Sequence, residues 1–204
     1  LKQTFPIDPF ITATIRFSTA DVAESMRVTS WREYHGFTVL RADIEPAEGT
    51  SFVAAMISHS LPGLQLVSAG FTAARIIRTR ETIADGNDDF RLFVNQTGDV
   101  TVSARGREIS LQWNEAVLIN SGEAVLFDRR SFGEALAIRI PRGTLLARDV
   151  DVDDAIVQRI PASMAAIDLL TCYVRRCWMT IMRWRRQCFG IVFRATCRIW
   201  RPSR

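Results

Sequence analysis

Between Phe37 and Ile140 the chain falls into short apolar runs, each closed by a turn signal. FTVLRADIEP, SFVAAMISHSL, GLQLVSAGF and AARIIRTR come first, punctuated by Pro46, Pro62-Gly63 and Gly70. A turn at Asp85-Gly86-Asn87-Asp88 leads into FRLFVNQ, then Thr97-Gly98-Asp99, VTVSA, Arg105-Gly106-Arg107 and EISLQ. EAVLINSG, EAVLFD and EALAIRI follow. Runs rich in β-branched residues at roughly 8–12-residue spacing predict antiparallel strands closed into a sandwich or barrel. They exclude a parallel α/β sheet, whose crossovers need helical segments between the strands.

Helical patterns are confined to the flanks. Residues 1–16, with Pro6 and Pro9, read as an N-terminal arm. Ser18 followed three residues later by Asp21 is close to a capping box, which predicts a helix over about 20–34, with Val22 and Met26 on one face and Gly36 as its stop. Pro141-Arg-Gly-Thr-Leu-Leu predicts a short helical turn, and Val150-Asp-Val-Asp-Asp an acidic lead-in. A helix is expected from Pro161, with proline in its first turn and Met164, Ile167, Leu170 and Tyr173 on an apolar face.

Charge divides the chain at its far end. The formal charge is +4, yet residues 175–204 hold 9 of the 26 basic residues and none of the 22 acidic ones. The rest is therefore net acidic, and the basic character belongs to the tail. Three of the four cysteines and three of the five tryptophans also lie in CWMTIMRWRRQCFGIVFRATCRIWRPSR, from Cys177 on. Residues 1–171 contain no cysteine, which fits a reducing compartment. The positions 172, 177, 188 and 197 do not have paired zinc-ligand spacing. The first residues lack a signal-peptide core, and no run reaches the roughly 18 apolar residues of a spanning helix.

The order of arm, helix, seven or eight strands and closing helices resembles the ligand-binding domain of AraC/XylS-type transcriptional regulators. The residues carrying the resemblance are FSTADVAE (17–24), WREYHG (31–36), LRADIEP (40–46), LPGLQLV (61–67), RTRETIADGNDDFRLFVNQTGDVTVSARGREISL (78–111) and VLFDRRSFGEALAIRIPRGTL (125–145). The resemblance implies a mainly β, cupin-like jelly-roll barrel with flanking helices over 17–174. It also implies a small-molecule effector of unknown identity, a cytoplasmic location and a helix used for dimerisation, either with itself or with an intact homologue. Met164, Ile167, Leu170 and Tyr173 are the candidates for that helix. Where the family has glycine before one strand, this chain has Asn114, which tolerates the left-handed conformation. The family continues into a helix-turn-helix DNA-binding domain, so this chain is expected to be a truncated sensor whose folded domain does not bind DNA directly.

The tail has a reading that explains its composition. Read one base out of frame, Cys177–Trp178 becomes leucine, and Trp178–Met179 and Met179–Thr180 become aspartates. With CGN arginine codons, Met182–Arg183 and Trp184–Arg185 become alanines. The resulting LDD start resembles the helical hairpin that follows the barrel in this family. A frameshift near residues 175–177 is therefore the expectation, with 175–204 not native to the fold. The alternative is a functional arm that binds nucleic acid or an anionic membrane by phosphate contacts and stacking.

Candidate pocket residues follow from barrel geometry. An inward arginine can hold a carboxylate or polyol by a two-pronged hydrogen bond, which nominates Arg78 and Arg80; Arg91 is a further candidate, as a polar anchor at a barrel mouth. Phe93 and Trp113 are added because pocket linings favour aromatics. For Arg78 and Arg80 the alternative is a solvated strand face, and for Phe93 plain core. Asp128-Arg129-Arg130 reads as a surface turn. His35 and His59 are isolated and read as surface or partly buried, so no metal, cofactor or catalytic residue is expected. The chain is read as a non-enzyme, with a stand-alone cupin-like enzyme as the alternative.

Overall fold

The computed structural model describes residues 13–147 and 152–179. Residues 1–12 of the expected arm, 148–151, with the first two residues of the acidic lead-in, and 180–204 of the basic tail lie outside the described residues. Twelve strands are described: β1 Ala13–Ser18, β2 Asp43–Pro46, β3 Ala54–Leu61, β4 Leu64–Phe71, β5 Ala74–Arg78, β6 Phe90–Thr97, β7 Val100–Ala104, β8 Arg107–Leu111, β9 Ala116–Asn120, β10 Val125–Arg129, β11 Gly133–Ile140 and β12 Arg159–Ile160. Four helices accompany them: α1 Arg27–Thr38, α2 Arg80–Ile83, α3 Arg142–Leu146 and α4 Ala165–Met179.

The strands form two antiparallel sheets. One runs β1-β3-β4-β11-β6-β9-β12 and the other β2-β5-β10-β7-β8. Their facing sides enclose the core in the expected cupin-like jelly roll. Trp31, Leu40, Phe52, Met56, Val67 and Phe71 fill one part of it. Val102, Leu111, Val117, Ile119, Val125 and Phe127 fill another. The outer face of the larger sheet is covered as well: Leu66, Val94, Ala116, Leu136 and Ile138 pack with Ile167 and Val174 of α4. Strands buried on both faces lose polar–apolar alternation, which is why AVLI of β9 and ALAI of β11 read as continuous apolar runs. β7 and β8 have one wet face and keep it: Val100 and Val102 are buried, while Thr101, Ser103, Glu108 and Ser110 pair outside.

Several boundaries differ from expectation. Ser18 caps only a single 3-10 turn at Thr19–Asp21; a second turn follows at Glu24–Met26, and α1 starts at Arg27 rather than near residue 20. The helix also runs through Gly36, because Trp31 anchors it in the core and the Val39 amide still reaches the His35 carbonyl. Phe37 and Thr38 are thus helical, and the strand expected from residue 37 begins at Asp43. Thr79 ends β5 instead of continuing it: its side chain and that of Thr82 cap α2 reciprocally. Pro161 lies ahead of α4, in a turn closed by the Met164 amide on its carbonyl. Asn114 does adopt φ +60°, as its place in the turn requires.

Candidate ligand cavity between the sheets

Register places three rows of side chains on the inner face of the larger sheet. Across β4, β11 and β6, Gln65 faces Arg139 and Arg139 faces Arg91. Val67 faces Ala137, which faces Phe93; Ala69 faces Ala135, which faces Asn95. The middle of this wall is therefore made of alanines. Small side chains at facing core positions leave space that the opposite sheet does not fill. A cavity of about 80 Å³ results, lined by residues that include Val67, Ala69, Phe71, Phe93, Phe127, Ala135 and Ala137. One water needs roughly 10–15 Å³, so a small organic molecule fits. The Phe93 and Phe127 rings lie 4.8 Å apart, centroid to centroid.

Three polar side chains reach this apolar space: His35, Arg91 and Arg129. Arg91 is 3% exposed. Its Nε donates to Ser121 Oγ at 3.2 Å and its Nη2 to the Val39 carbonyl. Its Nη1 is buried with no hydrogen-bond acceptor among the described residues. Burial lowers its pKa to about 10. Arg129 is 2% exposed and crosses from the smaller sheet to the larger. Its Nη1 donates to the Thr97 carbonyl at 2.7 Å, its Nη2 to Asn95 Oδ1 at 3.1 Å, and its guanidinium lies over the Phe71 ring. Its Nε is buried without an acceptor among the described residues, and burial lowers its pKa to about 10. Gly133 makes this crossing possible, since a Cβ there would stand 1.5 Å from Arg129 Nη1.

The imidazole of His35 has Nδ1 2.8 Å from the Leu40 carbonyl. Burial lowers its pKa to about 4, so it is neutral at pH 7. His59 is buried elsewhere, on β3, with Nδ1 3.0 Å from Thr14 Oγ1 and a pKa lowered to about 4, mainly by burial.

Of the five pocket residues expected from sequence, the fold brings Arg91 and Phe93 to the cavity. Arg78 is neither a ligand arm nor on a solvated face. It is 1% exposed and fully engaged: Nε donates to the Ser121 carbonyl, Nη1 to Arg41 and Thr82 carbonyls, and both Nη atoms to Asp85. Arg80 is exposed on α2, because capping by Thr79 ends the strand one residue earlier. Trp113 sits in the turn before β9 and is 62% exposed. Arg129 and His35, read from sequence as surface and partly buried positions, line the cavity instead. The available signal for Arg129 was its parity: it lies two residues beyond Phe127 on the same strand face. On α4, Ile167 is buried and Leu170 half-buried, while Leu169 and Tyr173 face solvent, as does Met164 in the turn just before the helix.

No group of three or more His, Cys, Asp or Glu side chains is placed to hold a metal among the described residues. None of the described helices is long and apolar enough to cross a membrane. Two stacked antiparallel sheets around an apolar cavity with buried cations define a cupin-like class of barrel. The chain belongs to the AraC-binding-like domain family, which it matches over residues 31–185. Its fold is that of the AraC-like transcriptional activator CuxR, with a TM-score of 0.68 at 17% identity, over 87% of this chain and 70% of that one. More distant is EutQ of Clostridium difficile, at 14% identity and TM-score 0.37 over 46% of this chain and 71% of that one. Comparison with curated proteins finds no match.

Proposed function

We propose that residues 17–174 form the effector-sensing domain of an AraC-type transcription regulator, acting in the cytoplasm by binding a small molecule between its two sheets. The observation that carries this reading is the alanine-walled cavity into which buried guanidinium groups reach. Regulatory output passes through a DNA-binding unit, which the described residues do not include. The cupin-like enzyme reading needs a ligand set for metal or a general acid–base pair. Here the cavity lining offers one imidazole and no carboxylate among the described residues, which favours binding over catalysis.

A compound screen by thermal shift tests the assignment. Ligands should raise the Tm of the full chain and lose their effect in Ala137→Phe, which fills the cavity. Ligands that bind this variant equally well refute the site. Self-association belongs to the same proposal, with Leu169 and Tyr173 exposed along α4 and Met164 exposed just ahead of it. Sedimentation should show a dimer that Leu169→Glu weakens.

A further inference from the structure

We propose that the effector is a small organic acid whose carboxylate meets Arg91 Nη1 and whose apolar body lies among Phe71, Phe93 and Phe127. This rests on the sensor reading above and names its ligand class. A guanidinium removed from water normally finds acidic or carbonyl partners for all its donors. Arg78 shows what that looks like in this fold, with Nε, Nη1 and Nη2 all bonded and Asp85 2.7 Å away. Arg91, on a neighbouring part of the same barrel, has two of its nitrogens bonded and Nη1 left over. It has no ion-pair partner within 4.0 Å among the described residues. The carboxylates that come closest to compensating it are committed elsewhere: Asp89 to Arg139 and the Arg142 amide, and Asp85 to Arg78. Arg129 adds a second buried cation with an unused Nε, and the lining contributes no anion to either. The cavity lining is therefore cationic and apolar together, and the carboxylates that act on the two guanidiniums, Asp85 and Asp89 on Arg91 and Asp99 and Glu134 on Arg129, are not among the lining residues.

The donor count chooses among anions. A phosphate presents three charged oxygens and needs several donors to leave water. Arg91 offers the two N–H of Nη1 and Arg129 the single N–H of Nε, set in a wall of phenylalanine and alanine, which matches a carboxylate with a hydrocarbon body better than a phosphate. Asn95 supports Arg129 four residues along β6 from Arg91, roughly 13 Å by strand rise. Arg129 is thus tied to the far end of β6 from Arg91, and its Nε can take a second polar group of the ligand.

Titration calorimetry and thermal shift on the full chain test this with butyrate, hexanoate, benzoate and phenylacetate, each against its neutral amide, and with toluene as an uncharged filler. At least one acid should bind and raise Tm while its amide does not. Arg91→Gln should weaken that acid about 30-fold or more, the effect of removing one partner of a buried charge pair, and leave toluene binding unchanged. The comparison of acid with amide in the unaltered protein stands even if the variant does not fold. Equal binding of acids and amides, or binding of neutral compounds alone, overturns the carboxylate assignment and leaves the sensor reading standing. Failure of every compound, toluene included, overturns both.

Discussion

The three buried arginines differ in what each needs from its surroundings. Arg78 depends on Asp85, whose carboxyl is held below its ordinary range by the Arg78 hydrogen bonds. Asp85→Ala strands a buried guanidinium and should cost about 3–5 kcal/mol in urea unfolding. Arg129 depends on the bare Cα of Gly133. Gly133→Ala should destabilise the domain strongly, and Gly133→Ala combined with Arg129→Ala should cost less than the sum of the two, because the contact with the guanidinium is removed while the 2.6 Å contact with the Thr97 carbonyl remains. The histidines give a pH dependence. His35 and His59 have folded pKa values lowered from 6.5 to about 4, so the unfolded chain binds protons first as pH falls. Their contribution is complete above about pH 6.5 and is lost on the way down to pH 4. The urea midpoint should therefore be lower at pH 5 than at pH 7, and an unchanged midpoint contradicts the burial of these rings. Residue-scale features were partly legible in the sequence. Arg91 and Phe93 share an inward parity on a strongly signalled strand. Arg129 was hidden because it ends its strand beside a second arginine, and only the fold shows that a glycine on the next strand makes room for it.

Among the elements, the strands were visible because turn chemistry separates them, while helix ends were not. Local signals placed α1 too early and stopped it at Gly36, whereas tertiary anchoring by Trp31 outweighs the roughly 1 kcal/mol cost of a helical glycine. The apolar face of α4 was assigned by spacing, and spacing alone does not say which side of a helix meets the sheet. Ile167 and Val174 pack on Val94, Leu136 and Ile138, with Thr171 between them bonding back to the Ile167 carbonyl. Ile167→Ala should cost about 2–4 kcal/mol, and Met164→Ala well under 1 kcal/mol. Equal losses measured by chemical denaturation contradict this orientation of the helix.

At the scale of the whole molecule, the barrel was predictable from the recurrence of turns and the number of runs. Its cavity was not, because a void depends on which small residues face one another across strands. Ala69, Ala135 and Ala137 converge only once the register is known. That register also means the larger sheet is a partition one strand thick between two different environments. Residues 91 and 93 of β6 look into the cavity, while 92 and 94 look out toward α4. Ala137 and Ile138 divide the same way on β11. Backbone that shifts to seat a guest on one side must carry the footing of the helix on the other. The helix methyl groups of Ile167 and Val174 are thus natural reporters of occupancy, although neither can touch what occupies the barrel.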